Sequence, residues 1–161
     1  MSMRNRDPTG GECIIRTTLP SDAPEISRVI IHALRETNSR DYTPEIIARV
    51  ERSFAPEAIR DFLTRRTMFT AEIAGQIMGT ASLDQNVVRT VFVAPDAQGR
   101  GIGQRLMAAV IRKAQARHVA VLSVPSTVTA EPFYARLGFK AVRDSWHGDE
   151  RTIIMQLRFA K

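Results

Sequence analysis

Apolar positions along this chain are spaced in two ways, and the change from one spacing to the other divides it into elements. Ile26, Val29, Ile30 and Ala33 recur at steps of three and four, which predicts a helix with one buried face. Its start falls at Ser21 or Asp22, with Pro24 in the first turn. Before it, "CIIRTTL" (Cys13 to Leu19) reads as a first strand. Thr43-Pro44-Glu45 carries a cap-and-proline signal for a second helix, and Pro56 divides off a third that reaches about Arg65. Strand signals then take over. Met68 to Ala74, a turn at Gly75-Gln76 and Ile77 to Leu83 predict a hairpin, and "VVRTVFV" (Val87 to Val93) a third consecutive strand, ended by Pro95. Helical spacing returns from about Gly101 to Arg117, with Ile102, Leu106, Ala109, Val110 and Ala114 facing inward. "VAVLSV" (Val119 to Val124) is a short apolar strand suited to the middle of a sheet. "TAEPFYARLG" is a short helix stopped by Gly138, and "FKAVRDSW" and "RTIIMQLRF" are closing strands around the turn "HGDE". No repeat or interdomain linker interrupts this order, which predicts one α/β domain.

Composition narrows the picture by exclusion. "MSMRNRDPTGGE" (1–12) is polar and broken by Pro8, Gly10 and Gly11, so it reads as a disordered extension ahead of a domain over 13–161. No apolar run is long enough to cross a bilayer, and no membrane partner is expected. The single cysteine, Cys13, allows neither an intrachain disulfide nor a cysteine-based metal cluster. It reads as a buried structural thiol and points to the cytoplasm. His32, His118 and His147 lack metal-ligand spacing, so no metal is expected. The formal net charge is +6 and 20 of the 23 basic residues are arginine. They are scattered and rarely interleaved with aromatics, which ranks nucleic acid low among partners. One local asymmetry stands out. From Gln98 to His118 there are five basic residues (Arg100, Arg105, Arg112, Lys113, Arg117) and no acid. That is either a solvated helix face or a positive field around an anion.

Glycine placement favours the anion. "VFVAPDAQGRGIGQRLMAAV" puts Gly99, Gly101 and Gly103 where a strand hands over to a helix. A dinucleotide fingerprint would need glycine where Gln104 stands, and no G-K-[ST] triplet is present for a phosphate-binding loop of the NTPase kind. What remains is Gln98-Gly99-Arg100-Gly101-Ile102-Gly103 at a helix N-terminus. Its unpaired N–H groups and about half a positive charge of helix dipole suit a phosphate or pyrophosphate.

These residues resemble the GNAT family of N-acetyltransferases. The family's acetyl-CoA signature, [RQ]-x-x-G-x-[GA] after an aromatic-Val-x-Pro strand end, is matched in "FVAPDAQGRGIG" by Gln98, Gly101 and Gly103. Its FY-x-x-x-GF element is matched from Phe133 to Phe139, with Tyr134 in the second position. One position departs: where many members carry asparagine before the second motif, this chain has Thr127. The resemblance implies a single-domain GNAT-like fold, with a mixed, mostly antiparallel sheet flanked by helices and splayed open between "VVRTVFV" and "VAVLSV". Acetyl-CoA would enter that gap as acyl donor. Its pantetheine arm would pair with the main chain of Phe92 and Val93 and meet Thr127 and Phe133. Its pyrophosphate would rest on residues 98 to 103, with Arg100 and Arg105 nearby.

The resemblance implies direct acetyl transfer to an amine, with Tyr134 as general acid for the departing thiolate. A free thiol titrates near 8.5 and tyrosine near 10, so full proton transfer is uphill by about 2 kcal/mol, and a hydrogen bond alone would also stabilise developing charge. No base is evident: Glu36, Glu72 and Asp84 are acids near the expected site, and each also reads as a surface group. The acceptor, a small molecule or a peptide, would be chosen by the helices between Ser21 and Arg66, where Arg40, Asp41 and Tyr42 lie. A non-catalytic acyl-CoA-binding sensor is the rival reading. The closing strands, with Trp146 before their turn, offer an edge for a homodimer.

Overall fold

A computed structural model describes residues 6–7, 11–36 and 43–159. The strands are β1 (Arg6–Asp7), β2 (Gly11–Thr17), β3 (Thr67–Ile73), β4 (Gln76–Asp84), β5 (Val87–Val93), β6 (Val121–Ser126), β7 (Lys140–His147) and β8 (Glu150–Arg158). The helices are α1 (Ala23–Glu36), α2 (Pro44–Arg52), α3 (Pro56–Arg65), α4 (Ile102–Ala116) and α5 (Glu131–Arg136). All strands join one sheet in the order β1-β2-β3-β4-β5-β6-β8-β7. Every neighbouring pair is antiparallel except β5–β6. Residues 79–83 of β4 are buried without alternation, because both faces of this strand are covered and both α1 and α4 pack on it. The core therefore lies in two layers, with Ile26 and Ile30 of α1 and Leu106, Met107 and Val110 of α4 fully buried. Ala109, expected inward, is half-buried, and Met107 takes its place in the core.

Two strand starts differ from expectation by two residues, the other expected ones by one or none, and β6 runs on to Ser126 where Val124 was expected. β2 begins at Gly11 rather than Cys13, since Gly11 and Glu12 pair with Asp7 and Arg6; the rest of the expected extension lies outside the described residues. The strand expected from Val119 starts at Val121 instead. His118 N donates to Gln115 O and Val119 N to Ala114 O, both at 3.0 Å, with His118 at φ +60°. This is a Schellman closure built on histidine where glycine is usual, and it uses the backbone that a longer strand would need.

The sheet opens between β5 and β6. Their ladder is reduced to one pair, Val87 with Ser123, and Ser123 N donates to Asn86 O at 2.9 Å. Two residues on, the nitrogen of Pro125 points the same way and has no hydrogen to donate, so the ladder stops there. β5 bends at the same level. Thr80 faces Phe92 and Ser82 faces Arg89, leaving Ala81 opposite both Thr90 and Val91. Thr90 takes φ +56°, rare for a β-branched residue, and forms the bulge that turns β5 out of plane. A missing donor on one strand and a bulge on the other together make the wedge.

Candidate active site

The wedge widens into a cavity of about 960 Å³. The residues expected to bind the donor or act in transfer line it, except Arg100 and Arg105; Arg100 is exposed on the turn between Gly99 and Gly101. Arg105 does not reach the turn either, because its Nη1 donates to Cys13 O at 2.7 Å on the β2 side of α4. Cys13 is buried, and burial pushes its thiol pKa up against the opposing charge of Arg105.

The glycines at the mouth serve different ends. Gly99 and Gly101 sit at φ +81° and +77°, in the left-handed region, and a Cβ on Gly99 would meet only open space. They shape the turn rather than admit a neighbour. Gly103 is a matter of room: a Cβ there would lie 3.2 Å from two atoms of the Phe133 ring. Gly101 caps α4, whose first turn contains no acidic residue, so the helix-end N–H groups from Ile102 onward lack intrahelical partners and face no carboxylate from that turn. Gln98 braces the strand end, its Nε2 donating to Val93 O at 3.2 Å. Val93 thus turns its carbonyl away from β4. Phe92 does the reverse, with its oxygen 3.1 Å from the position a Gly79 Cβ would occupy on β4. Phe92 meets the cavity by its ring, stacked edge-on to Phe54 at 5.8 Å, and not by its main chain.

Tyr134 is placed by a helix ending. Gly138, at φ +104°, closes α5 by donating to Ala135 O at 3.0 Å, and Phe139 N donates to Tyr134 O at 3.1 Å. A Schellman closure brings the residue after the glycine against the third residue from the helix end, and here these are Phe139 and Tyr134, 5.7 Å apart and edge-to-face. Phe133 packs on the other side at 5.0 Å. The tyrosine is 6% exposed, and burial pushes its pKa well above that of free tyrosine. Burial thus favours the neutral phenol. Thr127 Oγ1 accepts from Ala130 N at 3.1 Å, holding the approach to α5.

The opposite end of the cavity is built by α3 and the bulge. Ser27 donates to Phe54 O at 2.7 Å, fixing the α2–α3 connection onto α1. Phe62 meets Phe54 at 6.2 Å, and the guanidinium of Arg66 lies 3.9 Å over the Phe62 ring. Arg66 Nη1 donates to Thr90 Oγ1 at 3.1 Å; its buried Nε has no hydrogen-bond partner, with Asp84 at 3.7 Å. Burial lowers the Arg66 pKa while leaving it charged. Sequence reasoning missed Arg66, Arg89, Phe54 and Phe62, all of which line the cavity. Pro125 was the one overlooked signal: a proline inside the apolar run "VLSVPS" marks a strand with an unpaired side.

Among the described lining residues there is no Asp, Glu or His. Glu72 is bound to Arg16 at 2.7 Å, and Glu36 lies on the exposed end of α1 beside His32. Asp84 stands behind Arg66. Arg40, Asp41 and Tyr42 lie outside the described residues; among the described ones no cluster able to hold a metal is found.

An open mixed sheet flanked by helices is a fold found among acetyltransferases. More narrowly, residues 38–155 match the acetyltransferase (GNAT) domain family, and the chain belongs to that family. A curated relative is the uncharacterized N-acetyltransferase YafP of Escherichia coli K12, 28% identical over 132 residues, spanning 80% of this chain and 82% of that protein. Among solved structures, a GCN5-related N-acetyltransferase of Rhodopseudomonas palustris superposes with a TM-score of 0.85 at 21% identity over 99% of both chains. The PaiA N-acetyltransferase of Thermoplasma acidophilum, solved in complex with coenzyme A, gives 0.80 at 17% identity over 91% of this chain and 99% of its own. At these identities the two structures speak for the fold.

Proposed function

We propose that this protein transfers an acetyl group from acetyl-CoA directly to an amine, with Tyr134 hydrogen-bonding the departing sulfur. The single-pair wedge between β5 and β6, floored by the α4 N-terminus and walled by Tyr134, carries the reading. The residues fit the donor. Gly99 and Gly101 leave the turn bare of side chains, and the N–H groups of Ile102, Gly103 and Gln104 suit a pyrophosphate. Val93 O, now served by Gln98, suits a pantetheine amide in the manner of an added strand. The thioester supplies an activated acyl carbon: its C–S bond breaks as the C–N bond forms. Tyr134 donates a hydrogen bond to the sulfur as charge develops there. Its raised pKa makes complete proton transfer harder than for free tyrosine, so solvent completes the protonation. With no Asp, Glu or His among the described lining residues, the amine arrives unprotonated or gives its ammonium proton to water, and the proton that leaves nitrogen as the amide forms also goes to solvent.

The test is a calorimetric titration with acetyl-CoA beside dephospho-CoA and NAD, followed by a thiol-release screen over amines. Saturable binding of acetyl-CoA with none of NAD supports the reading; no binding by folded protein ends it. The lack of a lining base favours one second reading, an acyl-CoA sensor, which binding without thiol release would select. The proposal includes a cytoplasmic location, in keeping with the free thiol of Cys13. It also includes a homodimer through β7, whose outer edge has no strand partner and exposes Val142 and Trp146. Light scattering on Trp146→Arg, expected to be monomeric beside a dimeric parent, checks the last point.

A further inference from the structure

Two arginines line the end of the cavity that the donor reading leaves unused. Thr90, the partner of Arg66, precedes Val93 by three residues, about 10 Å of strand. Arg66 and Arg89 therefore lie well away from the turn at residues 98–103. Arg89 is close enough to add repulsion to the burial that lowers the Arg66 pKa. Around them, Arg65 is taken by Asp61 at 2.6 Å, and Asp84 offsets one charge from behind. Among these described groups one positive charge is left in excess, Arg136 of α5 adds another arginine to the lining, and the described lining contains no acid. Arg66 is held rigidly, by the Phe62 face beneath it and by Thr90, with its buried Nε turned toward Asp84 at 3.7 Å. A rigid guanidinium that lines a cavity with a second arginine beside it is how a protein receives an anion.

We propose that the acceptor amine carries an anionic group, a carboxylate or a phosphate, which Arg66 and Arg89 bind while its nitrogen faces the wedge. This rests on the acetyltransferase reading and narrows it. The same charge excess repels protonated diamines and favours the neutral form of any amine held beside it, which helps where no base lines the cavity. Phe54, Phe62 and Phe92 give the linking part of such an acceptor an apolar wall.

The experiment is a thiol-release assay with matched acceptors. Amino carboxylates and amino phosphates form two arms, each against its uncharged amide or alcohol and against a diamine of equal length. Higher kcat/KM in at least one anionic arm supports the proposal and names the anion. Arg66→Met should then raise the acceptor KM by about 10- to 100-fold, the loss of charge-assisted hydrogen bonding, with the acetyl-CoA KM changed less than about twofold. Arg66→Lys should fall between. Arg89→Gln, at an exposed position, carries the test if the Arg66 variants do not fold. Equal or better turnover of the neutral or cationic counterparts, with acetyl-CoA binding intact, overturns the anion site and leaves the acetyltransferase reading standing. If acetyl-CoA does not bind, the acetyltransferase reading fails instead. The anion site is then judged by titration with an N-acetylated amino acid and an N-acetylated amino phosphate: saturable binding weakened by Arg89→Gln sustains it, and no binding ends it.

Discussion

The two ends of the cavity are made by different means. The end proposed for the donor is made of backbone: a left-handed turn at Gly99 and Gly101, a helix start at Ile102 and a strand carbonyl at Val93. The end proposed for the acceptor is made of side chains: three aromatic rings, two arginines and the hydroxyl of Thr90. Backbone donors recognise an invariant part of a ligand at little cost in side-chain entropy. Side chains recognise what varies and can be exchanged one by one. A chemistry with one donor and many acceptors suits that division.

The sharpest way to break the division is to damage the backbone end alone. Gly101→Val forces a β-branched residue to φ +77°, and acetyl-CoA affinity should fall by about 100-fold or more. Calorimetry should meanwhile show an anionic product still binding at the other end. Next comes Tyr134→Phe, which keeps both ring contacts and removes only the hydroxyl. Turnover should drop about tenfold or more while acetyl-CoA affinity stays within about twofold. Unchanged turnover would remove the tyrosine from the chemistry.

A pH series sharpens the comparison further. With no Asp, Glu or His among the described lining residues, kcat/KM should climb with the titration of the acceptor, and two amines of different pKa should give limbs displaced by that difference. A limb fixed in place for both would reveal a base on the protein. The raised pKa of Tyr134 predicts no alkaline fall from this residue up to about pH 10.

The smallest effect belongs to a control outside the cavity. Arg16 binds Asp22 through both terminal nitrogens, at 2.8 and 3.1 Å, and Asp22 also accepts from Leu19 N at 2.7 Å. Arg16 chiefly, with help from Leu19, holds the Asp22 pKa below the usual carboxylate range. The native state thus holds its proton less tightly than the unfolded chain. The stabilisation is complete above about pH 4 and is lost as pH falls through the lowered native value. Asp22→Asn should cost about 1 kcal/mol at neutral pH in chemical denaturation, less as acid is added, with no change in either ligand's affinity.

This asymmetry also explains what the sequence reveals. Order and type of nearly every element can be read from spacing, caps and prolines, and the turn at Gly99 and Gly101 follows because left-handed backbone leaves glycines behind in fixed positions. The arginine-lined end of the cavity does not. "TRRTMFT" carries no sign that Arg66 is 12% exposed while its neighbour Arg65 faces water, since that depends on where Phe62 and Thr90 arrive from separate elements. The bulge is equally hidden, because Thr90 belongs to a residue type that favours plain strand. His118 misleads for a related reason, ending α4 in a conformation that pattern reading reserves for glycine.

The single pair joining β5 to β6 reaches beyond recognition. It leaves the sheet in two parts, β1–β5 and β6–β8, joined by the bridge pair of Val87 and Ser123 and otherwise through helices and side chains. On the reading proposed above, a donor seated between them would act as a mortise pin, adding about 2.7 kcal/mol to the stability of the fold at one hundred times its dissociation constant. The supply of the acyl donor would then bear on the thermal endurance of the protein as well as its rate.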